Sequence, residues 1–259
     1  MATVLKNVLH SVLTDTFSEI YTLAEKTSYI NTQNCYGETA LIYAAANGDK
    51  ELVENLLKSG SRIDHQDNEG RTALHWATIR GHLEIAKLLS EHSNINLQDD
   101  LHKTPLLLAI EYDQYDTAAY LLTLSTIKIN HRDHAGNTAL HWAVHANSQK
   151  LTELLLNHKV QIDTPNNFGS TPLMWAAKNG NMALVNLLLD HGADPELYDN
   201  LDRNALLRAI ENNHRPAAET LLNRFNVSKN SKILHHATHI AEVRGHIDLA
   251  RLLKEKVTA

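Results

Sequence analysis

Cysteine is nearly absent: Cys35 is the only one among 259 residues. Without a second thiol an internal disulfide is excluded, and a reducing, cytoplasmic setting is expected. Positive charge is not in excess. The 24 Lys and Arg stand against 30 Asp and Glu, a formal net charge of -6; neither nucleic acid nor an anionic membrane surface is favoured as a partner. Apolar runs of signal-peptide length are missing. Val4, Leu5, Val8, Leu9, Val12 and Leu13 do form a stripe at helical spacing, but the segment has one Lys, no Arg and no small-residue cleavage site. A capping helix fits it better, followed by a second that carries Phe17, Ile20, Tyr21, Leu23 and Ala24.

Catalytic and metal-binding signatures are lacking as well. There is no HExxH, no paired CxxC, no glycine-rich phosphate loop and no DFG, so zinc proteases, zinc ribbons and kinases have no foothold. His131-Arg132-Asp133 has the letters of a kinase catalytic loop, but Asn137 follows one residue too early. The chain has seventeen histidines. His75 and His141 share one position of a repeating pattern, and His82 and His246 share another, which points to scaffold hydrogen bonds. His235, His236 and His239 form the densest local cluster, yet a metal site needs three or four ligands converging on one point. Neither a metal nor a cofactor is expected. Cys35 has no activating histidine fixed nearby by the sequence, so no nucleophile is assigned.

What the chain does contain is a seven-residue phrase, repeated. It reads TALIYAA from Thr39, TALHWAT from Thr72, TPLLLAI from Thr104, TALHWAV from Thr138, TPLMWAA from Thr171 and NALLRAI from Asn204. These anchors lie about 33 residues apart, a period that marks a solenoid in which each unit stacks on its neighbours. Thr is placed to cap a helix, and Pro105 and Pro172 stand at the first helical position, where a missing N–H costs nothing. Gly81 and Gly180 end that helix. A second amphipathic run follows, as in Leu83, Ile85, Ala86, Leu88 and Leu89. Asn34, Asp67, Asp99, Asp133, Asn166 and Asp199 each precede an anchor by five residues, and such side chains bond their own turn backbone. Trp76, Trp142 and Trp175 share the position four after the anchor, as half-buried packing between helices.

A T-P-L-H-x-A signature on this period resembles the ankyrin repeat. The resemblance implies an all-α repeat solenoid of antiparallel helix pairs joined by β-hairpin-like loops. It divides the chain into an N-terminal capping pair over 1–33, repeats over 34–66, 67–98, 99–132, 133–165, 166–198 and 199–230, and a C-terminal capping repeat over 231–259. Repeats 99–132 and 199–230 are degenerate in the same way. Both lack the hairpin glycine (His102, Asp202) and the glycine after the first helix (Asp113, Asn213). With their anchors 100 residues apart, a duplicated three-repeat block accounts for the likeness, and strained or reshaped turns are expected there.

Such arrays bind other proteins on the concave face formed by hairpin tips and first helices, and the resemblance implies the same use here. The tips carry Tyr36, Glu69, Leu101, Ala135, Phe168 and Leu201, four of them large and apolar where the scaffold does not require it. Ile79, Tyr112 and Lys178 are expected to project from the first helices beside them, with Arg71, Lys103 and Arg203 interspersed. Apolar groups rimmed by polar ones suit a binding surface. The expectation is a monomeric, non-enzymatic scaffold, adaptor or inhibitor that binds a partner protein. Two alternatives stand beside it: an effector delivered by a bacterium into a host cell, and an enzyme whose site is scattered over the array.

Overall fold

The computed structural model describes residues 30–224 and 231–258; the capping pair expected from Val4 to Ala24 lies outside the described residues. The described residues form fourteen helices and no strand, an all-α repeat solenoid. The chain divides into two compact units, Met1–His134 and Ala135–Ala259. The first holds α1 (Ala40–Asn47), α2 (Lys50–Lys58), α3 (Ala73–Arg80), α4 (Leu83–Ser90), α5 (Pro105–Glu111) and α6 (Tyr115–Leu122). The second holds α7 (Ala139–His145), α8 (Gln149–Asn157), α9 (Pro172–Asn179), α10 (Met182–Asp190), α11 (Ala205–Glu211), α12 (Arg215–Arg224), α13 (Ser231–Val243) and α14 (Ile247–Thr258).

The first helices α1, α3, α5, α9 and α11 start where the anchor side chain supplies an acceptor. The Thr72 hydroxyl receives the His75 N–H at 3.4 Å, and Asn204 Oδ1 receives that of Leu207 at 3.0 Å. Helices of seven or eight residues are too short to persist alone, so packing must hold them. In the first unit α1 stacks on α3 and α3 on α5, while in the second α7, α9, α11 and α13 stack in turn. A helix with neighbours on both sides is apolar around most of its circumference. Leu106, Leu107, Leu108, Ala109 and Ile110 of α5 are accordingly all buried. The second helices have one covered face, where α4 buries Ile85, Ala86 and Leu89. Each such large side chain contributes roughly 1.5–3 kcal/mol.

Two histidines are part of this frame. His75 Nδ1 accepts the Thr72 N–H at 3.1 Å, and its Nε2 lies 3.3 Å from the Lys103 carbonyl of the next repeat. A backbone N–H must donate and a carbonyl must accept, so the ring is neutral with its proton on Nε2. Burial pushes the His75 pKa down to about 4. His141 repeats the arrangement, with Nδ1 3.2 Å from the Thr138 nitrogen and Nε2 2.9 Å from the Ser170 carbonyl. His82 lies against Gly48 with Nε2 3.2 Å from the Ala46 carbonyl. These three histidines thus each tie their own repeat to a neighbouring one.

The degenerate repeats are strained as expected but not reshaped. His102, Asp113, Asp202 and Asn213 all take positive φ, between 55° and 60°. Asn147 does the same in the fourth repeat, a substitution for glycine that the degenerate pair did not reveal. The hydrogen bonds are unchanged: Asp99 N–H donates to the Lys103 carbonyl at 2.9 Å, as Asp67 N–H does to that of Arg71. Neighbouring repeats impose the turn whatever residue occupies it.

Candidate partner-binding grooves

The tips are built by the acidic or amide residue that opens each hairpin. Asp67 Oδ1 accepts from Glu69 N at 2.9 Å and Arg71 N at 2.8 Å. Asp199 Oδ1 does so from Leu201 and Arg203 at 2.8 and 3.1 Å, and Asn166 Oδ1 from Phe168 and Ser170 at 3.0 and 3.1 Å. This closure turns the intervening side chain outward. Consecutive tips are then joined by single backbone bonds, Asn68 N–H to the Tyr36 carbonyl in the first unit and Asn200 N–H to that of Phe168 in the second, both 3.0 Å. The side chains of Tyr36, Leu101, Phe168 and Leu201 stand 57%, 53%, 68% and 67% exposed.

In each unit one groove opens between two such tips. The first, of about 460 Å³, has Tyr36, Tyr43 and Trp76 as its apolar surface and Glu38, Asp67 and Glu69 as its charged groups. Trp76 Nε1 donates to Asp67 Oδ2 at 2.7 Å, which fixes the indole, and the Arg71 guanidinium lies 5.1 Å from the ring centroid. The second, of about 450 Å³, has Phe168, Leu201 and Trp175 as its apolar surface and Lys178, Arg203 and Arg208 as its charged groups. Arg208 occupies the position that Trp76 holds in the second repeat, and its guanidinium takes the indole's place, with Nη2 2.6 Å from Asp199 Oδ2. Arg203 Nε reaches the same oxygen at 3.1 Å. Burial alone would raise the Asp199 carboxyl, but the N–H groups of Leu201 and Arg203 and the two guanidiniums outweigh it and hold its pKa below the usual range. Edges of His141 and His145 pack against Trp175 with centroids 5.2 and 5.7 Å away.

The structure brings most of the expected residues to these grooves or tips and removes two. Tyr36, Glu69, Phe168, Lys178, Leu201 and Arg203 line grooves, while Leu101 and Tyr112 are exposed nearby in the first unit. Arg71 is half-buried beside Trp76, paired with Glu69. Ile79 is instead buried, and the amide of Gln114 bonds its carbonyl at 3.2 Å. Lys103 is also buried, its ammonium 2.7 Å from both Glu111 carboxylate oxygens; a cation held this way is a structural strut. Sequence reasoning missed Tyr43, Trp76 and Trp175 as groove floor by treating that position as packing alone, though it is both. Among the described residues no three His, Cys, Asp or Glu side chains converge on a metal-sized point, and His235, His236 and His239 are exposed along α13. No described helix is long and apolar enough to cross a membrane.

The family model of ankyrin repeats (three copies) matches residues 41–133, 88–166, 123–199 and 153–233. Among curated relatives, inversin of Canis lupus familiaris is 32% identical over 132 residues, 50% of this chain and 12% of that one. Rabankyrin-5 of Mus musculus is 32% identical over 130 residues, 49% of this chain and 11% of that one. The chain therefore spans only about an eighth of these relatives' length. Among solved structures, the ankyrin repeat domain of Bcl-3, a member of the IkappaB protein family, aligns with a TM-score of 0.68 at 29% identity, covering 72% of this chain and 86% of that one. A chain in the structure of the predatory endopeptidase Bd0816 of Bdellovibrio bacteriovorus in complex with immunity protein Bd3460 aligns with a TM-score of 0.65 at 30% identity, covering 73% and 100%.

Proposed function

We propose that this chain, which belongs to the ankyrin-repeat family, is a non-enzymatic interaction module that binds a partner protein through the hairpin tips and the grooves between them. Ankyrin repeats are protein–protein interaction modules, and the structurally similar chains include an IkappaB-family domain and a chain from an endopeptidase–immunity complex. The observation that carries the reading is the exposure of Tyr36, Leu101, Phe168 and Leu201 on turns whose backbone is fully engaged by the hairpin-opening residue. The scaffold gains nothing from apolar side chains there. A partner that covered them would remove apolar surface from water at roughly 25 cal/mol per Å². A scaffold, adaptor or inhibitor acting as a monomer in a reducing compartment fits the free, exposed Cys35 thiol at the first tip. Affinity capture compares the intact chain with a Phe168→Ala, Leu101→Ala, Tyr112→Ala triple variant. Loss of the captured proteins is expected, and an unchanged set would overturn the assignment to these residues.

A further inference from the structure

The groove between Phe168 and Leu201 has a chemistry that narrows its occupant. Its three charged lining residues, Lys178, Arg203 and Arg208, are all basic, on a chain whose formal net charge is -6. Two carboxylates sit among them. Asp199 is fully buried beneath the groove and shared by both guanidiniums, and Glu211 lies 3.8 Å from Arg203. Both are spoken for. Lys178 makes no ion pair with any described residue and is exposed, and Asp202 at the neighbouring tip is the acid closest in sequence to the rim. The two guanidiniums are thus paired with carboxylates, and Lys178 carries the uncompensated positive charge at the groove, beside an indole and two exposed apolar side chains. The groove at the equivalent place in the first unit carries the opposite sign, with Glu38, Asp67 and Glu69. Opposite charge at equivalent places in the two units reads as partner selection, since the fold tolerates either.

Resting on the interaction reading above, we infer that this groove binds an acidic peptide segment of the partner protein, with a bulky apolar side chain seated between Phe168 and Leu201 over Trp175 and flanking carboxylates on Lys178 and Arg203. A nucleic-acid strand is the weaker occupant, because it needs a run of spaced phosphate contacts and the groove offers three cations on an acidic chain.

The test is selection of random peptides displayed on phage against the intact chain, at low and high salt. Recovered peptides are then measured on the intact chain and on Phe168→Ala and Lys178→Glu. Both side chains are exposed and neither carries a hydrogen bond of the fold, and circular dichroism checks that the variants are folded. The expected result is enrichment of an aromatic or branched apolar residue flanked by Asp or Glu, affinity that falls with salt, and a loss of about tenfold or more in Lys178→Glu. Peptides without acidic enrichment that still lose affinity in Phe168→Ala would overturn the inference while leaving the interaction reading intact. Peptides indifferent to both substitutions would count against both. A single-stranded oligonucleotide that outcompetes the acidic peptides would also overturn the inference.

Discussion

The two grooves share a blueprint and differ in what it is made to hold. In each, a hairpin-opening residue closes the turn, an apolar tip points outward, and a residue four past the anchor forms the floor. In the first unit the buried carboxylate of Asp67 meets a neutral indole, whereas in the second the carboxylate of Asp199 meets two guanidiniums. Arg208 stands where the first groove has Trp76, Leu201 where it has Glu69, Ser170 where it has Glu38 and Lys178 at the register of Ala46, so exchanges at four register positions turn an acidic groove into a basic one on the same hydrogen-bonded turn. Specificity in such an array is written at a few positions whose structural role is met by more than one chemistry.

The comparison is broken most severely by removing the carboxylates. Asp199→Ala deletes the acceptor for two N–H groups, strands the Arg208 guanidinium and leaves Arg203 with Glu211 alone, which should cost about 3–5 kcal/mol. Asp67→Ala deletes the same backbone bonds but leaves a neutral indole N–H, for a cost of about 1–3 kcal/mol. Urea unfolding followed by hydrogen exchange on the two tips reads both. Equal costs would show that the charge on Arg203 and Arg208 contributes nothing to the second groove's stability.

Much of this design was legible in the letters. The anchors, the hairpin-opening residues and the repeated histidines occupy fixed registers, and repetition at one register signals a backbone role before any coordinate is known. What was not legible depended on contacts between positions far apart along a repeat. Lys103 and Glu111 lie eight residues apart, and Arg203 and Glu211 repeat that spacing with 3.8 Å between them. The likeness of the two degenerate repeats therefore includes a charge pair that their lost glycines overshadowed. Ile79 and Lys178 occupy the same register, yet one is buried and the other exposed. That register sits at the margin of the face, where the side chain's own polarity decides.

Acid should separate the grooves in time. His75 belongs to the repeat that floors the first groove, and its pKa is pushed to about 4, from 6.5, first of all by burial. The unfolded chain therefore binds a proton that the folded chain refuses between those values. Stability from His75 is complete above pH 6.5 and declines towards pH 4, by about 3 kcal/mol at most. The repeats of the second groove carry Met174 and Leu207 at that register, and neither titrates. Asp199, with its pKa lowered, contributes stability that persists until the pH falls through its folded value, below the ordinary aspartate range. Hydrogen exchange in α3 should consequently accelerate between pH 6.5 and 4 relative to α11, after correction for intrinsic rates. A His75→Gln variant should abolish the difference, and simultaneous loosening of α3 and α11 would mean that His75 does not govern the first groove.

The finest distinction lies in the turn that closes each tip. Gly70 holds φ of 74° in the first unit, and Asp202 holds 55° at the equivalent place in the second. A side chain in this region is strained, by about 1 kcal/mol for most residues and less for Asp, whose short polar group tolerates it. Asp202→Gly should release that strain, although glycine also widens the unfolded ensemble, so the net gain is at most about 1 kcal/mol. It also removes the acid nearest in sequence to the groove rim. The two effects are separable because Asp202→Asn removes the charge and retains the side chain. If the inferred ligand chemistry is correct, both variants tighten binding of the acidic peptides by a small and similar factor, while only the glycine variant resists more urea. Tightening confined to Asp202→Gly would assign the effect to turn geometry and leave the rim charge without influence.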